Sequence, residues 1–171
     1  MDILDKEEKR IERNKKRRKY SKTTLNLLGY HSKFDQNMHD KYDIPARNKL
    51  KEKLGELLLD NPNIYEQDMI INIPGCRFKY LEIQVCSNWT CPEYPHKSLY
   101  VYERKGKYGE DTLFITMNKI LTRGFLFARS SFSNEPRRLG KYSREYVYDI
   151  PWNLALCVSI EYLDELTFLF I

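Results

Sequence analysis

The sequence predicts an α+β domain, a mixed β-sheet with an N-terminal flanking helix. Three observations lead there. Only residues 46–60 repeat their apolar side chains at clear helical spacing. About six short segments instead show β-branched runs or period-two alternation. These segments follow one another without regular intervening helices, which argues against a βαβ repeat. A chain of 171 residues with 42% hydrophobic and 31% charged residues is long and apolar enough to bury one core.

Taken in order, residues 25–43 are polar and irregular. Asp43-Ile44-Pro45 reads as a helix start, an N-cap side chain followed by proline in the first turn. From Ala46 to Asp60 a step of ~100° per residue puts Arg47, Leu50, Leu54, Leu57 and Leu58 on one stripe, and Asn61-Pro62 closes the helix. Met69 to Ile73 and Phe78 to Cys86 are expected to pair as a hairpin around Pro74-Gly75. Leu99–Arg104 and Thr112–Met117, joined by the glycine-bearing turn Lys105–Glu110, are expected as a second hairpin. Gly124–Phe132 and Arg144–Ile150 complete the strands. Pro151 is expected to open a last helix through the mid-150s, and Leu163–Ile171 is apolar without a clear period.

The charge is uneven. Residues 1–24 hold ten Lys/Arg against five acids, whereas residues 25–171 hold nineteen of each. The net charge of +5 therefore lies in a basic arm, residues 1–24, disordered or helical, attached to a neutral single domain, residues 25–171. The run Lys15, Lys16, Arg17, Arg18, Lys19 suits a polyanion or a nuclear-import receptor, and equally a solvated helix with Glu–Lys pairs. No run of about 18 uncharged apolar residues is present, so no membrane partner is expected. The charged opening residues lack the apolar segment of a secretory signal. An intracellular location is expected, with Cys76, Cys86, Cys91 and Cys157 as thiols and the Asn88-Trp89-Thr90 sequon as chance.

The first hairpin carries the sharpest chemical signal. With Gly75 at its centre, Met69 opposes Leu81 and Asp68 opposes Glu82. Alternation then puts Met69, Ile71, Ile73, Leu81, Ile83 and Val85 on the core face, and Asp68, Asn72, Glu82 and Gln84 on the other. Opposed Cβ atoms lie about 4.5–5.5 Å apart, within reach of a shared divalent cation. Two facing carboxylates without a cation repel one another. Such a face either holds a metal or lies in water.

A helix, a strand headed by Asp68, and a strand carrying Glu82-Ile83-Gln84 resemble, in that order, the PD-(D/E)XK nuclease superfamily and its restriction-endonuclease-like core. The resemblance covers residues 45–86. Gln67 stands where the family has proline and Gln84 where it usually has lysine, and a crossover helix follows in many members. The resemblance implies metal-dependent endo- or exonucleolytic cleavage of DNA or RNA. Asp68, Glu82 and the Ile83 carbonyl would hold Mg²⁺ or Mn²⁺, and Gln84 would orient water or the scissile phosphate. His39 stands upstream of the helix, where cap-snatching relatives place a metal-binding histidine. A lysine- and tyrosine-rich chain with such a core would suit a large DNA virus, placing it in a nucleus, viral factory or virion.

Other readings compete. Cys76, Cys86, Cys91 and His96 offer three thiols and an imidazole for zinc, without the usual two-residue spacing, or are idle. Arg123-Gly124-Phe125-Leu126-Phe127 resembles the start of the RNP1 motif of RNA-recognition domains. Arg123, Phe125, Phe127 and Arg129 share a strand face that either stacks unpaired bases or is core. Thirteen tyrosines and the basic loop Arg137–Lys141 suit a nucleic-acid groove or ordinary surface. A non-catalytic nucleic-acid-binding protein and a degenerate nuclease fold acting as an interaction subunit therefore stand beside the nuclease. Phosphate-binding glycine loops and Ser or Cys nucleophile motifs are absent.

Overall fold

A computed structural model describes residues 36–141 and 143–170, the last five by backbone alone. The basic arm with Lys15, Lys16, Arg17, Arg18 and Lys19, and also Tyr142, lie outside the described residues.

Helix α1 spans Ile44–Leu54, with Pro45 in its first turn. Asp43 does not cap it. The chain enters through a short helical turn, Gln36–Met38, and a π turn, His39–Asp43. Asp43 itself has helical angles (φ −72°, ψ −48°), and its carboxylate meets His39 Nδ1 at 3.1 Å. The helix also ends earlier than its leucine stripe suggests. Gly55 takes φ +54°, a conformation that favours glycine, and breaks the ladder. After a 3₁₀ turn at Gly55–Leu57, Leu58–Asp60 forms strand β1. Leu57, Leu58 and Leu59 suit either state, and the signal for the break is Gly55.

The other strands are β2 (Met69–Ile71), β3 (Tyr80–Cys86), β4 (Leu99–Tyr102), β5 (Thr112–Asn118), β6 (Arg123–Ala128), β7 (Arg137–Arg138), β8 (Tyr146–Ile150) and β9 (Leu156–Ser159). The larger sheet has the order β1-β2-β3-β5-β6-β9. It is mixed: β1, β2 and β3 form an antiparallel meander, β5 runs parallel to β3, and β6 and β9 follow antiparallel. A smaller antiparallel sheet has the order β4-β8-β7.

The expected second hairpin does not form. β5 is bonded to β3 on one side and β6 on the other, leaving no edge for β4, which pairs with β8. Both segments alternate as strands should, but alternation does not specify a partner. The helix expected after Pro151 is a single 3₁₀ turn, Trp152–Leu154, running into β9, because Val158 belongs in the core beside Gly124.

Two apolar clusters lie on the two faces of the larger sheet. On one, Ala46 and Leu50 of α1, both 0% exposed, meet Leu58, Met69, Leu81, Ile83, Leu113, Ile115, Met117 and Leu163. On the other, Leu99, Val101 and Ile150 of the smaller sheet meet Phe114, Phe127 and Phe132. β5 is buried along its whole length and serves both, with odd-numbered residues turned to α1 and Phe114 to the smaller sheet. Each large side chain so buried contributes about 1.5–3 kcal/mol.

Candidate functional site

The β2–β3 register sets the site. Met69 pairs with Leu81 and Ile70 with Tyr80, which places Asp68 opposite Glu82. The two residues then bond reciprocally across the ladder. The Ile83 N–H donates to Asp68 Oδ2 at 2.8 Å, and the Asp68 N–H donates to Glu82 Oε2 at 3.2 Å. Each carboxylate thus satisfies a backbone donor just before β2 begins, where its ladder with β3 stops.

Each carboxylate also has its own cation. Arg47, one turn into α1, donates from Nη2 to Asp68 Oδ1 at 2.7 Å and from Nη1 to the Asp68 carbonyl at 3.1 Å. Lys105 comes from the 3₁₀ segment Glu103–Lys107 that follows β4. Its ammonium lies 2.9 Å from Glu82 Oε1 and also donates to the Ile83 carbonyl. Glu82 is 7% exposed and Lys105 8%, so this pair is shielded from water. Burial raises the Glu82 carboxyl above its ordinary value of 4.5, and the Asp68 charge adds to that, while Lys105 opposes both. Tyr108 stands near the same charges. Burial first, and then Glu82 and Asp68, push its phenol upward and keep it protonated.

The face opposite the core is therefore not a solvated surface: Glu82 and Gln84 lie beneath the smaller sheet and its 3₁₀ segment. Gln84 spends its carboxamide there. Nε2 donates to the Tyr100 carbonyl at 3.1 Å and Oε1 accepts from the Tyr102 N–H at 3.4 Å, which pins β4 onto β3. Gln67 is also buried. Its Nε2 donates to Thr112 Oγ1 at 2.9 Å and its carbonyl accepts from Asn61 Nδ2 at 2.8 Å, tying the start of β2 to β5 and to β1's exit.

A hard divalent cation prefers oxygen ligands. Asp68 Oδ1 and Oδ2, Glu82 Oε1 and Oε2 and the Ile83 carbonyl supply them, and each carries a second lone pair beyond the bonds above. The donor chemistry fits Mg²⁺ or Mn²⁺. The fit has one condition: Lys105 already bridges Glu82 and Ile83. Among the described residues, no group of three His, Cys, Asp or Glu side chains gathers to hold a metal. His39 engages Asp43 rather than the acidic pair. Cys76 is half-buried, Cys86 buried and Cys91 exposed, so these thiols do not enclose a zinc site with His96.

The aromatic strand is core. Phe127 stacks on Phe114 with ring centroids 5.7 Å apart, and Phe125 stacks on the buried Trp89 at 5.3 Å. Arg129 has left the strand for a 3₁₀ turn, where its guanidinium lies over Phe132 and Tyr148 and its Nε donates to the Gly106 carbonyl at 3.1 Å. Arg123 is exposed at the start of β6. In the basic loop, Arg137 is committed to a two-point bond with Asp149, at 2.6 and 2.8 Å. Arg47 and Lys105 are the site residues that sequence spacing misses. Arg47 was visible as the one charge on the leucine stripe, whereas nothing near Lys105 in sequence points to Glu82.

Comparison with known proteins returned no matching family model, no similar curated protein and no similar solved structure. Among the described residues the architecture is an α+β fold with a mixed sheet and one regular helix, α1.

Proposed function

We propose that the protein is a metal-dependent nuclease that hydrolyses phosphodiester bonds of DNA or RNA, with a PD-(D/E)XK-like site. The observation that carries this reading is the convergence of Asp68, Glu82 and the Ile83 carbonyl at one corner of the β2–β3 ladder. The element order adds support. A helix precedes an antiparallel meander, and a crossover leads to β5 parallel to β3. The crossover carries β4 and a 3₁₀ segment in place of a helix, so Gln84 and Lys105 rather than helical packing secure it.

Bound Mg²⁺ or Mn²⁺ would supply Lewis acidity and lower the pKa of a coordinated water. The chain's own part is positional and electrostatic. Arg47 and the Ile83 N–H fix both oxygens of Asp68. The Asp68 N–H holds Glu82 Oε2, and Lys105 holds Oε1 in the metal-free protein. Arg123 is exposed, and the sequence of residues 1–24 carries a net positive charge; both would serve the nucleic-acid backbone. The expected result is Mn²⁺-dependent cleavage of a mixed DNA and RNA substrate panel, abolished by Asp68→Ala and by Glu82→Ala while far-ultraviolet circular dichroism is unchanged. Cleavage at the wild-type rate in either variant sinks the reading.

One feature favours a second reading. Arg47 and Lys105 already neutralise the pair, which suits a nuclease fold that binds nucleic acid or a protein partner without cutting. Nucleic-acid binding that is steeply salt-dependent and indifferent to Mn²⁺ is the result it expects.

A further inference from the structure

The Lys105 ammonium bonds to two groups at once, Glu82 Oε1 and the Ile83 carbonyl, and both belong to the donor set assigned above to a divalent cation. A divalent ion bound to the same two oxygens would repel the ammonium at close range. The lysine is almost wholly buried, which commits its charge to the site rather than to solvent. Its backbone lies in a five-residue 3₁₀ segment between β4 and β5, and β4 is fastened to β3 by Gln84 through Tyr100 and Tyr102. The ammonium is thus held beside the acidic pair by an anchored strand, on a side chain with four rotatable bonds.

We propose that Lys105 is a displaceable internal cation: it occupies the Glu82–Ile83 corner in the metal-free protein, yields that corner to a divalent ion, and then faces the phosphate of the substrate. Gln84, whose carboxamide is taken up by β4, is the positioning residue that keeps Lys105 within reach. This rests on the metal-site reading of Asp68 and Glu82. It adds that the two cations exclude one another and that the positive charge for the phosphate comes from residue 105 rather than from residue 84.

The test is Mn²⁺ titration by calorimetry of the full chain as wild type, Lys105→Met, Lys105→Arg and Glu82→Ala, with cleavage measured at saturating Mn²⁺. Lys105→Met is expected to bind Mn²⁺ about tenfold more tightly, an ordinary coupling between two sites. It is also expected to cleave roughly 10²-fold more slowly, as for loss of one transition-state contact. A purely structural lysine would weaken both together. Lys105→Arg keeps the charge and is expected to stay near wild-type affinity. If Lys105→Met is poorly folded without metal, its melting temperature should rise more on adding Mn²⁺ than that of the wild type. Unchanged or weaker Mn²⁺ binding by Lys105→Met, while Glu82→Ala abolishes wild-type binding, overturns this inference and leaves the metal site standing. Wild-type cleavage by Lys105→Met at saturating Mn²⁺ overturns the phosphate role. Absence of Mn²⁺ binding from wild type and Lys105→Met alike overturns the metal site and this inference with it.

Discussion

Asp149 and Glu82 show how differently two carboxylates of one chain are held. Asp149 lies near the surface between Arg137 and the Ser98 hydroxyl, and the Arg137 hydrogen bonds keep its carboxyl below the ordinary 3.8. A depressed carboxyl favours the folded state above its unfolded pKa, and that contribution is lost as pH falls through the folded value. Asp149→Asn is therefore expected to lower stability at pH 7, by about 1 kcal/mol for a partly exposed pair. The difference should close as pH drops below about 4. Urea unfolding of both proteins at pH 7 and pH 3 checks it, and a gap that stays constant would remove the ion pair from the account. Glu82 is the opposite case. Buried and beside Asp68, it is pushed upward, and Lys105, with help from the Asp68 N–H, opposes that push.

Among the elements, the β2–β3 ladder was legible and the crossover was not. Two apolar runs flank one glycine turn, so the symmetry of the loop gave the pairing of Met69 with Leu81 and of Asp68 with Glu82. The core and site faces followed from period two. Gln84 shows where that reasoning ends. Periodicity put it on the site face, but whether its carboxamide meets water or the β4 backbone depends on a strand sixteen residues away. The same limit hid Lys105, which sits in a turn with no period. Gln84→Leu is expected to cost roughly 1–3 kcal/mol, because the Tyr100 carbonyl and Tyr102 N–H lose their buried partner. Chemical denaturation measures it, and a loss below a few tenths of a kcal/mol would mean that β4 does not depend on that bond. Helix α1 was found from its leucine spacing, and its end was missed because the leucines continue past Gly55 into β1.

At the scale of the whole molecule, α1 and the smaller sheet pack on the two faces of the mixed sheet, and α1 and the 3₁₀ segment after β4 each send one cation to the same acidic pair. The site thus depends on both layers being docked, although its carboxylates come from two adjacent strands. The pair sits at β3, the neighbour of the fully buried central strand β5, while the edge strands β1 and β9 carry exposed side chains such as Leu59 and Leu156. The central claim is that this pair is a hard-metal site, and calorimetric titration of Mn²⁺ into the wild type, Asp68→Ala and Glu82→Ala tests it most directly. The account predicts saturable binding in the wild type that is lost in both variants. Binding that persists in both, or none in the wild type, contradicts it.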